Sequence, residues 1–125
     1  MKIRVYYEDT DTGGIVYHSN YINFCERAIS EAFFSRGLSP ALDSGGFVAK
    51  KLEANFIKPA KLGDMLEVKS MLLEMKSASF TLKQMIFLDD IKIFELSVTL
   101  AYISNQGRPQ KLGDLSGLVE SLFNN

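Results

Sequence analysis

The sequence predicts an α+β domain in which one long amphipathic helix packs on an antiparallel sheet. Three observations carry this. One helical apolar pattern, near residues 20–36, lies between a short strand and four later ones. The four later runs follow one another with only turns between them, as in a meander, whereas βαβ units would place helices there. Asp89-Asp90, between the last two runs, reads as a tight hairpin.

Lys2 to Tyr7 alternates charged and apolar residues, with Ile3, Val5 and Tyr7 on one side, and reads as a short strand. Glu8 to Ser19 is rich in turn formers, with Asp9, Asp11 and the pair Gly13-Gly14. Ile22, Cys25, Ala28, Ile29, Ala32 and Phe33 then recur at helical spacing. Ser19 or Asn20 is placed to N-cap this helix, and Gly37 suits the C′ position. The helix is expected to run about 17 residues, roughly 25 Å. After Ser44-Gly45-Gly46, strands are expected over Phe47–Ile57, Met65–Met75, Ala78–Leu88 and Ile91–Ile103. Pro59 and Gly63-Asp64 turn the chain between the first two. Phe94, Leu96, Val98, Leu100 and Tyr102 share the core side of the last strand. Leu115 to Phe123 reads as a short terminal helix.

A chain of 125 residues with no repeat, low-complexity tract or linker is expected to be one domain, residues 1–125. Lys plus Arg is 14 and Asp plus Glu is 15, a net charge of -1, which argues against nucleic acid as the main partner. One Cys excludes an internal disulfide and a CxxC pair. No run approaches the ~20 apolar residues of a membrane span, so no membrane insertion is expected. Met1-Lys2-Ile3-Arg4 leads at once into polar residues without an apolar h-region, which predicts a cytoplasmic protein. Met65, Met71, Met85 and Phe87 stand beside charged residues on the strands, and some must face away from the helix, a hint of self-association.

The segment Tyr6 to Tyr21 concentrates the chemistry: Glu8, Asp9 and Asp11, the only His, two Gly and four Tyr, just before a helix N-terminus. A calcium loop starting at Asp9 would put Asn20 where a bidentate Glu is needed, and no helix pattern precedes it. One His cannot build a typical zinc site without further His or Cys. Cys25 lies on the apolar stripe and reads as a small buried hydrophobe; it is seven residues from His18, too far for a Cys–His pair. Asp9 reads as a turn former, and Asp11 on its own residues is either that or functional. The functional alternative is acyl chemistry. A helix N-terminus offers unpaired N–H groups and partial positive charge, Gly13-Gly14 permit close approach, and a loop carboxylate can act as base or nucleophile.

The stretch VYYEDTDTGGIVYHSNYINFCERAISE, Val5 to Glu31, resembles the signature of the small bacterial hotdog-fold acyl-CoA thioesterases. It is most similar to their YbgC-like branch, related to the 4-hydroxybenzoyl-CoA thioesterases. Phe56 to Asp64 continues the similarity weakly, and Thr12 stands where the branch has a small residue.

The resemblance implies a hotdog fold, one long central helix wrapped by a five-stranded antiparallel sheet. It implies hydrolysis of an acyl-CoA to free acid and CoA with no cofactor or metal, CoA being part of the substrate. It places the catalytic carboxylate on Asp11, with Tyr7 and His18 as helpers, and an oxyanion donor at a backbone N–H at or near His18. Gly13, Gly14, Val16, Tyr17, Asn20 and Lys58 are the expected substrate-binding residues. A homodimer or homotetramer is implied, its sheets joined edge to edge and its active sites at the subunit interface. Acyl carrier protein is a further possible partner.

Lys50, Lys51, Lys58 and Lys61 are candidates to meet the CoA phosphates, but plain surface charge is the better reading for each taken singly. Phe33, Phe34, Phe47 and Phe56 either line the acyl tunnel or belong to the core. Glu26-Arg27 reads as a helix-surface pair or interface contact, and Gln84 interrupts an apolar strand face without a sequence-level reason. Two rivals stand beside the thioesterase. A hotdog dehydratase would want a His base paired with an acid on the helix, whereas the only His here precedes it. A non-catalytic acyl-thioester or carrier-protein binding module would need no Asp11.

Overall fold

The computed structural model describes residues 1–123. Its elements are β1 (Lys2–Arg4), a 3-10 turn (Tyr7–Asp9), α1 (His18–Phe34), β2 (Gly45–Phe56), β3 (Met65–Met75), β4 (Ser79–Leu88), β5 (Ile91–Ser104) and α2 (Leu115–Phe123). The strands form one antiparallel sheet in the order β1-β3-β4-β5-β2. The expected α+β architecture, with one helix against five strands, is therefore the one found.

β2, β4 and β5 shift by one or two residues from the sequence reading, and two further boundaries differ for a side-chain reason. β1 stops at Arg4 and does not reach Tyr7. The N–H of Val5 still reaches the carbonyl of Asp64 at 2.9 Å, but the N–H of Tyr6 is taken by Asp9 Oδ2 at 2.9 Å. A local side-chain acceptor thus wins over the ladder and starts the 3-10 turn. At α1, Tyr17 is the N-cap, not Ser19 or Asn20, and its side chain makes no capping bond. Asn20 is held elsewhere: its Nδ2 donates to the Asp9 carbonyl at 2.9 Å. The other end follows expectation. Gly37 sits at φ 70, with its N–H on the Phe34 carbonyl (2.9 Å) and the Leu38 N–H on Phe33 (3.0 Å), which closes the helix as a Schellman motif.

The hairpin expected at Asp89-Asp90 also forms, with both residues in the left-handed region, φ 50 and 66, as a type I′ turn requires. β4 turns Phe80, Leu82, Gln84 and Ile86 toward the helix, and β5 adds Phe94, Leu96, Val98, Leu100 and Tyr102. Phe24, Cys25, Ala28 and Phe33 of α1 close the core, and α2 adds Val119 and Phe123. Gln84 now has its reason. Its Nε2 donates to the carbonyl of Cys25 (2.8 Å) and to Ser70 Oγ (3.0 Å), tying the helix to the sheet. Met65 and Met71 are exposed and Met85 and Phe87 half-buried, on the sheet face away from α1, where Lys69 Nζ lies 5.1 Å over the Phe87 ring.

α1 packs over β3, β4 and β5 and meets β2, an edge strand, at its two ends through the rings of Phe33 on Phe47 and of His18 and Tyr21 on Phe56. The register puts Phe47, Ala49, Leu52, Ala54 and Phe56 of β2 opposite the buried side of β5, and a bulge between Ala49 and Lys51 keeps them on that face. Leu52 and Phe56 are exposed although they point to the helix side. A groove runs between α1 and β2.

Candidate active site

The loop before α1 is built by its own side chains. Asp9 is buried and accepts the Tyr6 N–H, while its carbonyl accepts from both the Tyr17 N–H (2.9 Å) and Asn20 Nδ2. Thr10 pairs with Val16 as an isolated bridge, and the Val16 N–H reaches the Ala60 carbonyl at 2.9 Å. These ties anchor both ends of the segment 10–16. Within it, Asp11 donates its N–H to the Ile15 carbonyl (2.9 Å) and its carbonyl accepts from Gly14 (3.0 Å). Gly14 lies at φ 80, where a side chain would be strained.

The carboxylate of Asp11 is aimed by the turn it caps: Oδ1 accepts the Gly13 N–H at 2.8 Å. Oδ2 has no hydrogen-bond partner among the described residues. Asp11 lines a cavity of about 360 Å³ together with His18, Tyr21, Phe56 and Lys58. His18 is the first residue of α1, its ring against Tyr17 (4.4 Å) and edge-on to Phe56 (6.5 Å). The Asn20 N–H turns back to the Tyr17 carbonyl at 2.9 Å, so the open donors of the first turn belong to His18 and Ser19. A carboxylate with a free oxygen, a helix N-terminus with free N–H groups and an apolar wall thus share one opening. That combination can hold a carbonyl, stabilise negative charge on its oxygen and activate water beside it.

The expected residues divide. Asp11, Val16, His18 and Lys58 all border the cavity. Gly13 and Gly14 shape the Asp11 turn, Tyr17 packs on His18, and Asn20 braces the loop. Tyr7 is not brought to the cavity within one chain: its side chain is 82% exposed, and its carbonyl serves Thr10. Lys61 pairs by backbone with Ile15, and Lys51 forms an exposed pair with Glu53 (3.2 Å). Of the four phenylalanines, Phe56 lines the cavity, Phe33 is core, Phe47 lies on the α1–β2 groove and Phe34 is exposed.

Sequence reading assigned no role to Tyr21. It stacks on Phe94 (5.1 Å), meets Phe56 edge-on (5.8 Å), and its hydroxyl accepts the Ala60 N–H at 3.0 Å. Burial raises its phenol pKa above the usual value, so it stays neutral at the cavity wall. Its place three residues after His18, on the same helix face, is the signal that marks it. Among the described residues no cluster of three or more His, Cys, Asp and Glu is placed to hold a metal ion, and no helix is long and apolar enough to cross a membrane.

A family model described as the thioesterase superfamily matches residues 13–95. The acyl-CoA thioesterase YbgC of Helicobacter pylori is 45% identical over 87 residues, 70% of this chain and 65% of that protein. The acyl-CoA thioester hydrolase YbgC of Escherichia coli O157:H7 is 41% identical over 88 residues, 67% of this chain and 65% of that one. The matches thus span just under two thirds of these relatives' length. Among solved structures, "Probable Thioesterase from Bartonella henselae" superimposes with a TM-score of 0.83 at 30% identity, over 90% of this chain and 96% of that one. A hypothetical protein from Aquifex aeolicus reaches 0.89 at 26%, over 95% and 96%. Sequence, strand order and superposition agree: this chain belongs to the thioesterase superfamily and has its hotdog fold.

Proposed function

We propose that the protein is an acyl-CoA thioesterase that hydrolyses an acyl-CoA thioester to a free carboxylic acid and CoA. The observation that carries this reading is the shared cavity in which Asp11, with one oxygen free, faces the start of α1 at His18. The thioester carbonyl oxygen takes the open N–H groups of His18 and Ser19. Asp11 then acts as general base or as nucleophile. As base it takes a proton from water, whose oxygen bonds to the carbonyl carbon. The tetrahedral oxyanion collapses, the C–S bond breaks, and the CoA thiolate recovers the proton from the Asp11 carboxyl. As nucleophile it forms an anhydride and expels the thiolate, and water hydrolyses the anhydride. Either course needs only water, so no cofactor or metal has a part in it. In this reading His18 and the Tyr17 ring shape the carbonyl site, and Lys58, which borders the cavity, takes a CoA phosphate.

The same reading makes the protein a homodimer or homotetramer with its active sites at subunit interfaces. The uncovered β2 edge and the exposed Val48, Leu52 and Phe56 support this, since an open apolar edge is a pairing surface. A partner across β2 would also give the exposed Tyr7 something to reach. Acyl carrier protein, which presents the same thioester, is a second possible carrier of the acyl group. A thioester substrate and one buried thiol fit a cytoplasmic enzyme. The test is release of free thiol from acyl-CoAs by the wild type and by Asp11→Asn. The reading requires release that the variant loses.

A further inference from the structure

The Asp11 cavity is lined by one more residue with a polar group that the reaction above leaves unused, Tyr21. Its ring is held on three sides. It stacks on Phe94 at 5.1 Å and meets Phe56 and Phe24 edge-on at 5.8 and 6.4 Å. The oxygen end is held as well. It accepts the Ala60 N–H at 3.0 Å, and Pro59, joined to that nitrogen, lines the same cavity. The Ala60 carbonyl in turn accepts the Val16 N–H at 2.9 Å. One residue, Ala60, thus ties the phenol on one side and the end of the Asp11 loop on the other.

A phenol has one proton to give and lone pairs that accept. Ala60 uses only the accepting side. Among the described residues the Tyr21 proton has no acceptor, and Asp11 Oδ2 has no donor. The two groups are not bonded to each other, yet they sense one another. Burial raises the phenol pKa, and the negative charges of Asp64 and Asp11 raise it further, against the pull of the Ala60 hydrogen bond. A free donor and a free acceptor on the wall of one cavity, near but not touching, suit a molecule that both accepts and donates. Water is such a molecule, and the reaction consumes one. We propose that Tyr21 is a further catalytic residue, whose O–H donates to the hydrolytic water and holds it against Asp11. In the base course the water oxygen bonds to the thioester carbon as its proton passes to Asp11 Oδ2. In the nucleophile course it bonds to the anhydride carbon, the anhydride C–O bond breaks, and one water proton goes to the carboxylate that leaves. The phenol keeps its own proton in both, as a group that burial holds neutral should. This inference rests on the thioesterase reading above.

The test is thiol release by Tyr21→Phe, in the first turnover and at steady state, on the acyl-CoA that the wild type hydrolyses fastest. The phenylalanine keeps the packing and deletes the hydroxyl. kcat is expected to fall about tenfold or more, with KM within about twofold of the wild type. A fast first turnover places the held water at the anhydride, and a uniformly slow one places it at the thioester; both outcomes uphold the inference. The freed Ala60 N–H also costs stability, which urea unfolding reads separately. A loss of stability with wild-type kcat overturns the inference, as does a loss of activity carried by KM alone. A second variant, Tyr21→3-fluorotyrosine, keeps packing and hydroxyl but ionises more readily. A donor must keep its proton, so its activity is expected to fall off at lower pH on the alkaline side than that of the wild type. Asp11 and Asp64 act on the phenol and His18 and Lys58 share the cavity, and all four are the same in both proteins. An alkaline limb that does not move therefore overturns the inference even where Tyr21→Phe does not fold. No turnover of any acyl-CoA by the wild type overturns the thioesterase reading itself, and this inference with it.

Discussion

Asp11 and Gly13 are joined by a 2.8 Å hydrogen bond from the Gly13 N–H to Asp11 Oδ1, so the loop that carries the carboxylate also aims it. A Cβ at Gly13 would stand 3.2 Å from that oxygen. Gly13→Ala is therefore expected to push the carboxylate off line, lowering thioester hydrolysis by about tenfold or more while the melting temperature falls only a few degrees. Gly14→Ala should do the reverse in part. Its Cβ meets nothing within 4 Å, but φ 80 strains any side chain, so its main effect is a stability loss of about 1 kcal/mol read by urea unfolding.

Asp9 has a different task. Its carboxylate holds the Tyr6 N–H, and its carbonyl holds Tyr17 and Asn20. Asp9→Ala leaves the carbonyl ties and loses the carboxylate one, for about 1–2 kcal/mol of stability. Faster hydrogen exchange at Tyr6, Asp9 and Thr10 than in the wild type would locate the loss in the turn.

Cys25 supplies a pH signature. Burial pushes its thiol up to about 12 from 9.0. The folded pKa is the higher one, so the folded state keeps a proton that the unfolded chain releases. The associated stability is intact below pH 9 and is lost between pH 9 and about 12, with a slope approaching 1.4 kcal/mol per pH unit. Urea unfolding at pH 8 and pH 10.5 should show the fall, and Cys25→Ala should flatten it. Tyr21, also raised by burial, adds a drop in the same direction above pH 10 that Cys25→Ala leaves in place.

Much of this was legible in the sequence because side-chain period and turn chemistry act locally. The alternation of Phe94 to Tyr102 placed β5, the Asp89-Asp90 pair placed its hairpin, and Gly37 placed the end of α1. What failed was decided by side chains competing with the backbone for the same hydrogen bonds. Nothing in Tyr6 says that its N–H will prefer Asp9 to a strand partner, and nothing in Asn20 says that it will bind the Asp9 carbonyl in place of capping the helix. Asp11, Val16 and His18 lie in one segment whose residues stand out in the sequence, and they border one cavity. Phe56, from β2, and Tyr21, which joins the helix to Ala60, gain their places only through the sheet. Gln84 is the extreme case: a polar residue in an apolar strand makes sense only once Cys25 and Ser70 stand beside it.

Assembly is tested by mass. If β2 pairs with a second copy, sedimentation equilibrium will give two or four times the 14.0 kDa chain, and charge at the edge, as in Val48→Glu, will shift the protein toward monomer. A monomeric wild type with full activity would remove the interface from the account.

The most direct measurement is the rate of thiol release from a panel of short, long and aromatic acyl-CoAs by the wild type and by Asp11→Asn. The account predicts release from at least one class in the wild type and a loss of about a hundredfold or more in the variant, with the fold unchanged by circular dichroism. Hydrolysis at the wild-type rate by Asp11→Asn would contradict it.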